Sequence, residues 1–69
     1  MKYMNARVVM NDGVEKVVEN IVAIAAKPTT ERTEIFVKED TYKPCTILTL
    51  TNFSALHLFV GDVLYKTIE

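Results

Sequence analysis

Residues 11–27, NDGVEKVVENIVAIAAK, constrain the fold more than any other stretch. Asp12 followed three residues later by Glu15 has the form of a capping box, an oxygen acceptor answered by an acidic side chain that reaches back to free amides. Stepping about 100° per residue, Val14, Val17, Val18, Ile21, Val22, Ile24 and Ala25 share one arc. Lys16, Glu19, Asn20 and Lys27 fall opposite, so the pattern predicts an amphipathic helix over residues 13–27. Pro28 lacks an amide hydrogen and disfavours helical geometry at Lys27, which ends the element. Its β-branched residues are mediocre helix formers, so tertiary packing has to hold it.

The flanks read as strands. Met4, Ala6, Val8 and Met10 alternate with Asn5, Arg7 and Val9, the period of a strand with one covered face, and Asn11, Asp12 and Gly13 supply a turn. After a polar loop over residues 29–33, residues 34–39 and 41–43 read as a hairpin with its corner at Glu39 and Asp40, closed by Pro44. Residues 45–58, CTILTLTNFSALHL, leave two readings open. The threonines favour strand, whereas Ile47, Leu50 and Phe53 recur at threes and Thr46 can cap a short helix over 46–52; the helix is preferred. Gly61 and Asp62 mark a turn before a last strand, Val63–Ile68, whose buried parity stays open.

Sixty-nine residues make a single domain, 1–69, in which burial barely outweighs chain entropy. An elaborate catalytic apparatus is therefore not expected, and neither enzyme activity nor a cofactor is assigned. Eight basic against nine acidic residues, without a run of either, give no electrostatic case for nucleic acid or a membrane surface. One cysteine excludes an internal disulfide and a thiolate metal cluster, so no metal site is expected. No segment has the apolar length of a signal peptide or membrane span, and a cytoplasmic location is the expectation.

The element order, together with NDGV before the helix, VAIAAK at its end, Thr46-Ile47 after the hairpin and VGDVLYKTIE at the close, is similar to the histidine-containing phosphocarrier protein (HPr) family. The resemblance implies an α+β fold, an HPr-like open-faced sandwich with a four-stranded antiparallel sheet and both helices on one side. In that family a histidine at the helix start, followed by an arginine and a proline, carries phosphate toward sugar transporters. The matching positions here are Glu15, Val17 and Val18. A carboxylate beside valines offers neither a nucleophilic nitrogen nor donors for a phosphate, so the chemistry is not carried over.

What remains of the resemblance is a docking role in or near the sugar phosphotransfer system. It would use Glu15, Val17, Val18, Thr46, Ile47 and Leu50, with Glu15 presenting a permanent charge where relatives carry a transient one. Against this stands the plain reading of Glu15 as a cap. Thr46 matches a position at which the family commonly has a phosphorylated serine, and is otherwise an N-cap or strand residue. The family's last helix has no counterpart, which would leave apolar sheet surface uncovered and favour a homodimeric assembly module that shares only the fold. His57 keeps a third reading open, a divergent phosphocarrier, although it has no acidic neighbour within four positions and is otherwise a surface or packed imidazole. Cys45 is either a reactive thiol or, more commonly for its type, a small buried residue.

Overall fold

A computed structural model describes residues 3–39 and 41–69. Among these there is no helix. Six strands follow one another: β1 (Met4–Met10), β2 (Glu15–Ile24), β3 (Arg32–Val37), β4 (Thr46–Thr51), β5 (Phe53–Val60) and β6 (Val63–Ile68). They form one antiparallel sheet in the order β4-β3-β2-β1-β5-β6. The α+β expectation is thereby corrected: neither the helix over 13–27 nor the one over 46–52 forms, and the sheet has six strands where the HPr-like sandwich has four. β1 and β6 occupy the spans expected of them. The hairpin was misplaced, since β3 pairs with β4 rather than with residues 41–43, and its expected corner includes Asp40, outside the described residues.

The sheet covers its own inner face. β4 and β5 are separated by Asn52 alone, yet they stand at the first and fifth positions of the sheet, so the sheet must curl until its two ends approach. Asn52 and Phe53 donate backbone hydrogen bonds to Glu31 and Thr30, just before β3, at 3.1 and 3.0 Å. Ala6, Val8, Ile21, Ile35 and Leu56 are completely buried, which one layer achieves only by folding over itself. Phe53, Leu58, Val37 and Ile68 complete the core of this small, partly open barrel. Apolar side chains nevertheless stay exposed on the sheet, among them Val17 on β2, Ile47 on β4 and Val63, Leu64 and Tyr65 on β6.

Three residues with left-handed backbone shape the curl. In the β1–β2 hairpin, Gly13 (φ 89°) ends a three-residue loop in which its amide donates to Met10 and the Met10 amide to Val14. Asp12 does accept a backbone amide, as a capping residue would, but from Val14 within this turn. Asn20 (φ 59°) breaks β2 in two: residues up to Val18 pair with β1, and from Ile21 onward the strand also pairs with β3. Register shifts on either side of Ile21 mean that inward positions fall at Val18, Ile21 and Ile24. A strand bulged twice thus shows a spacing of three, which in sequence has the look of a helix face. Asn52 (φ 53°) does the same between Leu50 and Phe53.

Among the described residues Thr33 is the one buried polar residue, 2% exposed, and its hydroxyl donates to the Thr29 carbonyl at 2.6 Å. Thr33→Val keeps the shape and removes the donor, so it is expected to cost about 1 kcal/mol, read as a lower urea midpoint at unchanged slope.

Candidate functional site

The bend at Asn20 opens a groove. Ahead of it, the first half of β2 has a strand partner on one side only, β1, because β3 ends at Val37 opposite Ile21 and β4 begins at Thr46 opposite Val37. Beside it lies a groove of about 400 Å³ whose apolar lining is Val17, Val18, Val37 and Leu48. Thr46, Asn20 and the carboxylates of Glu19 and Glu39 line the rest of it. Among the described residues, Glu19 and Glu39 have no ion-pair partner; the two ion pairs are Arg7 with Glu15 (3.8 Å) and Arg32 with Glu34 (3.5 Å). Lys38, adjacent in sequence to Glu39, instead donates to the Lys43 carbonyl. The groove lining combines four aliphatic side chains with two carboxylates.

One side of the groove is β4, and β4 ends the sheet. Its six residues, TILTLT, pair with β3 in unbroken register from Thr46 opposite Val37 to Thr51 opposite Arg32. The strand contains no charge, proline or glycine, and Ile47 (55%) and Leu48 (37%) are exposed. Sheet edges are ordinarily blunted by charge, proline or a bulge because their free amides and carbonyls accept another strand. β4 has none of these. The other edge, β6, carries exposed Val63, Leu64 and Tyr65, but a register shift interrupts its pairing with β5 between Lys66 and Leu64.

Of the residues expected at a docking face, Val17, Val18 and Thr46 do meet, in this groove. They meet as strand residues facing across a gap, not as neighbours at a helix start. Ile47, opposite Phe36, lies on the sheet face away from the groove, and Leu50, opposite the buried Thr33, packs against the core. Glu15 pairs with Arg7, whose guanidinium also lies 6.0 Å from the centre of the Phe59 ring. It caps nothing. Sequence reasoning missed Leu48, Glu19 and Glu39, although a six-residue run made only of threonine and aliphatic residues, without charge, was the available signal for an unprotected edge.

His57 lies within β5, not on a loop, opposite Arg7 of β1 and Thr67 of β6; its Nδ1 and the Thr67 Oγ1 share a hydrogen bond of 3.3 Å. That is a cross-strand pair on the sheet's outer face. Cys45 is exposed, ahead of β4, which corrects the expectation of a small buried residue. Among the described residues no three His, Cys, Asp or Glu side chains converge as metal ligands, and no helix is long and apolar enough to cross a membrane. No protein-family model, curated protein or solved structure matches this chain.

Proposed function

We propose that this chain is a binding module that works without catalysis, and that its working surface is the β4 edge with the groove beside it. The observation that carries this reading is β4 itself: six uncharged residues in regular register at the end of a sheet, with exposed aliphatic side chains and an open groove on one side. Free backbone groups along such an edge supply affinity by strand addition, and a groove beside it selects the alternate side chains of the added strand. The phosphotransfer reading rested on Glu15 at a helix N-terminus, and Glu15 is a strand residue paired with Arg7.

Charged residues on the edge test this. Ile47→Lys with Leu48→Lys adds two cations along β4 without touching a fully buried side chain. Proteins captured by the wild type should be lost with this variant and kept with Glu15→Lys. Full retention by the β4 variant would show the working surface to be elsewhere.

A further inference from the structure

The two free edges of this molecule fit each other. Strand direction alternates across all six positions of the sheet, and six is even, so β4 and β6 run antiparallel to one another. A second copy added beside the first in the same orientation therefore brings its β6 antiparallel to β4, with the inner faces of both sheets on the same side. Pleat parity then decides which side chains share a face. On β4, Thr46 and Leu48 lie opposite the buried Val37 and Ile35, hence on the inner side where the groove is. On β6, Ile68 and Lys66 lie opposite the buried Leu56 and Leu58, hence on the inner side too.

Charge is complementary in the same place. Glu19 and Glu39 line the groove at Thr46 and Leu48 without an ion-pair partner among the described residues, and Lys66 is the one cation of the β6 edge, exposed and likewise outside either ion pair. We propose that copies of this chain add head to tail, β6 of one pairing with β4 of the next, with Lys66 of the first entering the acidic groove of the second. The proposal rests on the reading of β4 as the working edge and names its partner as another copy of the chain.

Placing Ile68 opposite Thr46 sets Thr67 opposite Ile47 and Lys66 opposite Leu48, which is the regular stretch of β6 on the C-terminal side of its register shift. The exposed Leu64 and Tyr65 continue beyond the shift as an apolar margin. A two-fold pairing of β4 with β4 would instead set two acidic grooves side by side with no cation between them. Head-to-tail contacts leave one edge of each kind free at the ends, so growth continues until a ring closes or a filament forms.

Sedimentation velocity on the full chain, at low and high salt, tests this. Wild type should contain species larger than dimer, and these should diminish as salt screens the Lys66 contact. Lys66→Glu alone and Glu39→Lys alone should each lose those species while keeping the wild-type circular dichroism spectrum. Mixing the two variants should restore a dimer, because the unaltered β4 of one can take the unaltered β6 of the other; two variants that stay monomeric when mixed count against the proposal. A wild type that stays monomeric overturns the proposal, as does a dimer that neither substitution disturbs. If the wild type is monomeric yet the β4 lysine variant loses a foreign partner, self-pairing is refuted and the binding reading stands; if large species persist in the β4 lysine variant, both fall.

Discussion

Leu56→Ala should leave most of the chain unfolded at room temperature. Leu56 is completely buried, sits on β5 between the pairings to β1 and β6, and lies opposite Val8 on one side and Ile68 on the other. Truncating a buried leucine costs about 2–5 kcal/mol, because the lost transfer energy is joined by the cavity left behind. A domain below about 70–80 residues rarely draws more than about 3–5 kcal/mol from its core. The single cysteine leaves no internal disulfide to supplement it. The loss is therefore comparable with the whole stability. Leu48→Ala provides the contrast: the same chemical change at a residue 37% exposed on an edge strand should shift the urea midpoint only slightly. Equal losses at the two positions would mean that the core is not where the curled sheet places it.

The second large effect is expected at Asn20. Its φ of 59° lies in the region where a β-branched side chain collides with its own backbone, and the Asn20 carbonyl accepts the Lys38 amide at 2.9 Å. Asn20→Val should cost about 1–2 kcal/mol through the left-handed backbone alone. It should also disturb the groove, because Asn20 is part of its lining. Asn20→Gly, in contrast, should hold the bend with little change, since glycine adopts this conformation without steric cost. Thermal unfolding of the pair measures the difference. Similar melting temperatures for Val and Gly would mean that the bend is imposed by the rest of the sheet and not by this residue.

The same bend explains why residues 13–27 read as a helix. Period-two alternation is the mark of a regular strand, and β1 shows it from Met4 to Met10, which is why that element was legible. β2 is not regular. Shifts on either side of Ile21 move its inward residues to Val18, Ile21 and Ile24, and the exposed Val14 and Val17 extend the apparent apolar arc. The contrary signal was present in the composition of the segment, where four valines and two isoleucines fall between positions 14 and 24. Such residues favour extended backbone, and here that preference agreed with the outcome while periodicity did not. At residues 46–53 the threonines were likewise the better guide, and Asn52 supplied the break that imitated a helical spacing.

The candidate site was legible only in fragments. Val17, Val18 and Thr46 were singled out for reasons tied to a helix start, and the groove unites them through a different geometry. Glu19 was assigned to a solvated helix face and Glu39 to a hairpin corner, so their convergence could not be anticipated. It depends on β2 running on past the end of β3, a property of the paired sheet.

By itself the sequence determined the local events: the Asn11-Asp12-Gly13 and Gly61-Asp62 turns, the first and last strands, β1 and β6, and a core small enough that one leucine matters. These depend on residues close together in the chain, where turn chemistry and alternation act directly. Tertiary structure alone decided that β2 is a bent strand, that β4 and β5 form one kinked run reaching from one edge of the sheet to its fifth position, and that β4 is left without a neighbour. A strand's hydrogen bonds lie in other segments, so its length, its bulges and its edge status follow from pairings that no window of sequence contains.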